Sequence, residues 1–274
     1  MRADSVSLHL EFPVGIQMDA YSNLWVCDTG NNRIIVFDAE LNTIVHVLSG
    51  IGTKADSDRF LLPFHLCRHP IRNWMYCTDL GNGRVVVFEY DRTRVQYVMS
   101  FGGNTDSRNL KNEDFTPLSD PNGITVVKES DGSVSVFVCD EFNYCKTDFV
   151  QRNRCLKFTE DGRYLYDFRG IRDQQSRTQH DLIWPQGIGS DSKGNIYLAN
   201  TGGYEVLKFN ASLARPGVGD DCYLIADNEP VLLHSYGAPS GVGQQSVMRS
   251  VSVIGDLVFV PDYVGSNHLG LWHR

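Results

Sequence analysis

One phrase recurs five times along the chain, and nothing else in the sequence restricts the possible folds so sharply. Its clearest copy is Phe12-Pro13-Val14-Gly15-Ile16 followed by NLWVCDTGNNRIIVF, ending at Phe37. The second begins Leu62-Pro63-Phe64-His65-Leu66 and passes through WMYCTDLGNGRVVVF to Phe88. The third begins Asp120-Pro121-Asn122-Gly123-Ile124 and passes through VFVCD and RCLKF to Phe158. The fourth begins Trp184-Pro185-Gln186-Gly187-Ile188 and passes through GNIYLANTGGYEVLKF to Phe209. A degenerate fifth runs from Val247-Met248-Arg249-Ser250-Val251 to Trp272. The proline column, with Met248 in the last copy, gives intervals of 50, 58, 64 and 63 residues. Four-stranded propeller blades occupy about 40–50 residues, so these spacings read as blades carrying insertions.

Each copy alternates apolar and polar residues over short runs broken by turn residues, the pattern of antiparallel strands. A further strand is expected after each aromatic end, at 43–49, 95–101, 163–168 and 231–236. The fifth copy stops after three strands, and Ser5 to Phe12, alternating Val6, Leu8 and Leu10, is expected to complete it. Pairing the two ends would remove exposed sheet edges. The expected fold is therefore all-β: one β-propeller domain over residues 1–274, with five four-stranded blades closed through the amino-terminal strand. The alternative is six blades with one missing or degenerate.

The pattern P-x-G-Φ, a strand ending in Asp, then N-x-R-Φ-x-x-F resembles the NHL-repeat family over nearly the whole chain. That resemblance implies a propeller, often of six blades, that serves as an interaction module.

Composition limits the partners. The formal charge is −8, and with 33 acidic against 25 basic residues nucleic acid is not the expected partner. No run approaches eighteen apolar residues, so no membrane-inserted helix is expected. The start Met1-Arg2-Ala3-Asp4 lacks the apolar run of a signal peptide. Seven cysteines include no C-x-x-C pair; Cys27, Cys77 and Cys139 read as buried thiols, while Cys145 and Cys155 bracket an insertion that a disulfide could close. Asn210-Ala211-Ser212 is a glycosylation sequon of a kind common by chance.

The repeated polar residues read as structural. Asp28, Asp79, Asp140, Asn200 and Asp262 end the same strand, where they are expected to accept hydrogen bonds from turn N–H groups. Arg33, Arg84 and Arg154 would brace those turns, with Glu205 and His268 breaking the column. Phe37, Phe88, Phe158, Phe209 and Trp272 should pack between blades. Function is sought where the copies differ. The residue after the proline, expected at the channel mouth, is Val14, Phe64, Asn122, Gln186 and Arg249 in turn. This mixed set suits binding better than acid–base chemistry. The third copy also carries nine extra residues between Asp140 and Arg154, including the aromatics Phe142, Tyr144 and Phe149. The connection from Gly102 to Asp120 on the same rim could frame a groove. The binding surface is accordingly expected at Phe64, Asn122, Phe142, Tyr144, Gln186 and Arg249, with a protein or peptide as partner and no cofactor.

Two metal readings compete. Propeller amidating lyases, similar in fold, place zinc-binding histidines where this chain has Val14, Phe64, Asn122, Gln186 and Arg249. A substitute His65-x-Cys67-x-His69 puts alternate strand residues about 6.8 Å apart, so the two histidines lie too far apart to chelate one ion. Calcium-dependent propeller lactonases resemble the chain at Pro121-Asn122-Gly123 and faintly at Glu11, but calcium takes six to eight oxygens. A metal-dependent hydrolase or lyase is thus the alternative function, and RNA binding a third.

Overall fold

The computed structural model describes residues 9–52, 58–141, 153–173, 178–216, 223–226, 250–255, 257–261 and 269–273. Each of the five copies folds as its own antiparallel sheet. The first pairs β1 (Pro13–Met18), β2 (Leu24–Asp28), β3 (Arg33–Phe37) and β4 (Ile44–Leu48) in chain order. The second pairs β5 (Pro63–Arg68), β6 (Trp74–Asp79), β7 (Arg84–Tyr90) and β8 (Val95–Phe101), and the third β9 (Pro121–Lys128), β10 (Val134–Asp140), β11 (Arg154–Thr159) and β12 (Tyr164–Phe168). Next along the chain come β13 (Gly170–Asp173) and β14 (Thr178–Asp181), then the fourth copy as β15 (Pro185–Ser190), β16 (Asn195–Asn200) and β17 (Glu205–Asn210). After β18 (Arg215–Pro216) and β19 (Tyr223–Ala226), the fifth copy forms β20 (Ser252–Ile254), β21 (Leu257–Pro261) and β22 (Leu269–His273). The first strands β1, β5, β9, β15 and β20 pack beside one another in that order, which stacks the sheets face to face.

Apolar clusters fill the seams between consecutive sheets. Trp25, Cys27 and Ile34 meet Met75, Cys77 and Phe88 at the first seam, and Val85 and Phe101 meet Val136 and Phe158 at the second. Phe137 and Phe168 meet Leu198 and Phe209 at the third, and Tyr197 and Val206 meet Val251 and Val258 at the fourth. Three members of the aromatic column pack between sheets as expected. Phe88 reaches back to Trp25 at 6.4 Å, Phe158 to Phe101 at 5.0 Å, and Phe209 to Phe137 at 5.9 Å.

Three expectations need correction. Residues 9–12 form no strand; His9 and Glu11 instead bond to the β2–β3 turn of the first sheet, and residues 5–8 lie outside the described set. Closure of the ring is not seen among the described residues, and the strand expected at 231–236 falls outside them. Second, Cys155 is a free buried thiol facing Cys139 across the β10–β11 pair, so it makes no bridge to Cys145. Strand alternation aims it into the core rather than at the insertion. Third, β13, β14, β18 and β19 form an additional sheet in the order β14-β13-β19-β18, with β13 and β19 parallel. Its strands are four residues or fewer, so alternation is hard to read, yet Ile171, Leu182 and Leu224 join the core of the third seam.

Contrary to expectation, Asp28, Asp79 and Asn200 make no side-chain bond to the N–H groups of the turn that follows. Asp28 Oδ1 accepts from the Glu11 N–H at 2.7 Å, Asp79 Oδ1 from Leu61 at 2.8 Å, and Asp140 Oδ1 from Ser119 and Asp120, each at 2.9 Å. All these donors lie in the segment leading into the first strand, not in the turn that follows the aspartate. The second oxygen takes the arginine: Arg33 Nε at 2.6 Å, Arg84 Nε at 2.7 Å and Arg154 Nη2 at 2.9 Å. Each arginine also donates to a lead-in carbonyl, of His9, Arg59 or Thr116. One ion pair thus ties three chain segments together. Burial pushes the Asp28 carboxyl upward, but the bonds from Glu11, Asn31 and Arg33 outweigh it and hold it below the ordinary range. At Asp79 and Asp140 burial dominates, and both sit above that range.

The fourth copy rewrites this brace. Asn200 Oδ1 still accepts from the lead-in N–H of Ile183 at 2.6 Å, while its Nδ2 donates to Glu205 Oε1 at 2.8 Å. His180 Nδ1 lies 2.8 Å from Glu205 Oε2. Donor and acceptor have changed places.

At the opposite end, Asp19 and Asp191 fasten the hairpins between the first two strands. Each accepts from two backbone N–H groups and an asparagine amide, and then from Trp25 or Tyr197. His69 takes the same place in the second copy, where Nδ1 accepts from Ile71 and Arg72 and leaves Nε2–H for Glu160 at 2.9 Å. His65 stands where the first, third and fourth copies have the motif glycine. A Cβ on Gly123 would come within 2.2 Å of the Gln186 carbonyl of the next strand, so that place normally demands glycine. Burial in this seam pushes the His65 pKa down to about 4 against a weaker pull from the Ile124 main chain.

Two outcomes follow. The Arg154 side chain is 6% exposed against 28% for Arg33, so Arg154→Ala should lower stability in urea unfolding by about 3–5 kcal/mol. Arg33→Ala should cost about 1 kcal/mol. His65 binds a proton more weakly folded than unfolded, so its contribution is full above the unfolded value near 6.5 and falls as pH drops toward 4. Between pH 7 and pH 5 the loss should be on the order of 1–2 kcal/mol, and His65→Gln should flatten that slope.

Candidate functional site

The residue after each motif proline lies in a bulge. Pro13 pairs with Asp28, Pro63 with Asp79, Pro121 with Asp140 and Pro185 with Asn200. The next paired residues are Ile16 with Val26, Leu66 with Cys77, Ile124 with Val138 and Ile188 with Leu198. Two residues therefore face one, and a bulge of this kind bends the strand and re-aims its side chains. In the second copy Thr78, the single residue opposite the bulge, stitches it: Oγ1 accepts from His65 N–H at 2.9 Å and donates to the Asn122 carbonyl at 2.8 Å.

Of the expected site residues, two are brought together. Asn122, buried, donates its amide to Glu141, and Gln186 Nε2 reaches the same carboxylate at 3.0 and 3.1 Å. Asn122 begins the third sheet and Gln186 the fourth, so Glu141 spans the seam between them. Deeper along the same strands Thr125 donates to Ser190 at 2.9 Å. Gln186 Oε1 is buried with no hydrogen-bond partner. Phe64 is half-buried and lies on the neighbouring first strand, where its carbonyl approaches Gly15. Phe142, Tyr144 and Arg249 lie outside the described residues.

Glu141 is the residue that sequence reasoning missed. It follows the aspartate column, where the other copies have Thr29, Leu80 and Thr201. An acid at a position otherwise neutral was the available signal, hidden because Glu141 also opens the insertion.

The arrangement offers one carboxylate shared by two amides. Among the described residues no three His, Cys, Asp or Glu side chains gather as a metal site. The substitute zinc cluster is dispersed into other work: His69 holds its hairpin, and Cys67 Sγ accepts from Val126 N–H at 3.3 Å while burial pushes its thiol up to about 11. The two calcium-like residues bond on different sheets, Glu11 at the first and Asn122 at the third. The 102–120 connection frames a polar cleft of about 360 Å³ lined by Asn82, Arg84, Asn104, Thr105 and Arg108. Asp106 knots it, accepting from Gly102 N–H, Arg108 Nε and Asn109 Nδ2.

No protein-family model matches the chain, and no curated protein sequence matches it. Solved structures do. One streptogramin B lyase structure superposes with a TM-score of 0.51 at 12% identity, over 98% of this chain and 70% of that one. A nidogen/laminin complex gives 0.52 at 14% identity, over 93% and 74%. The selenomethionine-substituted virginiamycin B lyase of Staphylococcus aureus gives 0.50 at 13% identity, over 90% and 62%. The chain thus spans 62% of the length of the virginiamycin B lyase chains. At such identities the likeness carries architecture alone, and together with the stacked antiparallel sheets it identifies the fold as a β-propeller.

Proposed function

We propose that the chain is an NHL-type propeller of five blades, a single domain over 1–274, acting as a non-catalytic module that binds a protein or peptide at the rim around the channel mouth. The observation that carries this reading is the Asn122–Glu141–Gln186 junction. Two amides from consecutive sheets turn toward one carboxylate, and Gln186 keeps a buried acceptor with no partner. Such a group is costly unless a ligand donor meets it. Phe64, Phe142, Tyr144 and Arg249 would supply contact area and charge around the junction. The superposed nidogen structure is described as a complex with laminin, which gives a protein-binding propeller as precedent.

The test is a peptide selection from a random display library on the purified chain, followed by affinity measurement with Gln186→Ala and Glu141→Gln. Each substitution should weaken the selected peptides about tenfold, or about 1.4 kcal/mol. Stoichiometric calcium or zinc, removable only by chelator and accompanied by hydrolysis or elimination, would instead establish the enzyme reading.

A further inference from the structure

The same rim carries bulky side chains where the backbone disfavours them. Phe12, Leu62 and Trp184, each just before a motif proline, have φ of 46°, 54° and 51°, and Tyr204 has 57°. Left-handed backbone costs any residue with a Cβ, and glycine or asparagine is the ordinary choice. The chain uses that choice elsewhere: the places equivalent to Tyr204 are Asn32 and Gly83, at 53° and 58°. The conformation itself is imposed by the brace, since Leu62 and Trp184 accept from Leu80 and Thr201 N–H groups while the preceding peptide bonds to the turn. The side chains are not imposed. Phe12 is 77% exposed, Leu62 39% and Tyr204 40%, so burial does not account for these three, while Trp184 is half-buried. Leu61 and Ile183 stand exposed beside them, each folded over a turn glycine, Gly81 or Gly202. Among the described residues, the other bulky left-handed position is Leu41, alone in the β3–β4 hairpin at the opposite end.

Charge at this end leans acidic, with Arg108 paired to Asp106 and Lys111 an exposed exception. Arg33, Arg84 and Arg154 are each paired to their aspartates. Glu11 and Asp120, flanking the motif prolines, carry no ion pair among the described residues, and the chain as a whole is at −8. Apolar contact points over an acidic ground fit a ligand with apolar anchors and basic flanks. We propose that the crown of Phe12, Leu62, Trp184 and Tyr204 is a docking surface for an extended peptide of a partner protein carrying aromatic or branched apolar side chains beside lysine or arginine. The proposal rests on the rim-binding reading above and specifies its ligand.

Strain makes the test selective. Tyr204→Asn installs the residue that the first copy uses there, so the melting temperature should hold or rise by about a degree or two. Peptides from a random twelve-residue display library should be enriched in Trp, Phe or Leu next to Lys or Arg. Their affinity should fall at least tenfold on the Phe12→Asn, Leu62→Asn, Tyr204→Asn triple variant, and about threefold on Tyr204→Asn alone. Replacing the basic residues of a selected synthetic peptide by Glu should abolish binding. The crown is refuted if selected peptides depend on Gln186 and Glu141 but bind the triple variant unchanged, an outcome that leaves rim binding intact. It is equally refuted if the peptides are acidic, if a synthetic RNA oligomer binds and displaces them, or if sedimentation shows that the crown holds two copies of the chain together. Absence of any selected peptide would sink both readings together.

Discussion

The buried aspartate–arginine pair in each of the first three sheets is the constraint from which the rest of the architecture follows. A carboxylate ending β2, β6 or β10 binds the arginine that begins the next strand and the peptide that leads into the sheet. Three segments distant in sequence converge on one group with a fixed number of lone pairs. The lead-in peptide must therefore arrive at one height and one angle, which fixes the proline, the bulge after it and the direction of the side chain that follows the proline. Removing either member would leave a buried charge unmatched, which is why the pair orders the structure even where its net stabilisation is modest.

Much of the architecture was legible because the repeat encodes it. Strands at 44–48, 95–101 and 164–168 fall where the alternation put them, and the aromatic column packs as its spacing implies. The roles of the polar columns were only half legible. A sequence shows that Asp28 precedes a turn, but not that its donor, Glu11, lies seventeen positions earlier. The additional sheet escaped notice because its strands are four residues or fewer, and one of its pairings is parallel between segments about fifty residues apart. The closing strand was read from alternation alone, and alternation cannot say that His9 and Glu11 are already occupied by the first turn.

The candidate site was legible to the same partial degree. Asn122 and Gln186 were singled out because they vary where the repeat is otherwise constant, and they do meet. Their meeting point, Glu141, was obscured by the insertion it introduces. His65 and His69, grouped by sequence proximity, separate completely once the strand is laid down: one fills a seam and the other fastens a hairpin. Proximity in sequence is a poor guide on a pleated strand, where neighbours two apart can meet different elements.

The exchanged polarity of the fourth brace has a consequence for how such a chain can diversify. Asp–Arg and Asn–Glu both satisfy the lead-in peptide, but any single replacement passing between them sets two donors or two acceptors against each other in a dry site. Blade segments are therefore not freely interchangeable parts. Recombination that cuts between the asparagine and the glutamate, or that parts them from His180, would graft mismatched halves, whereas crossover ahead of the lead-in segment would carry the whole arrangement intact.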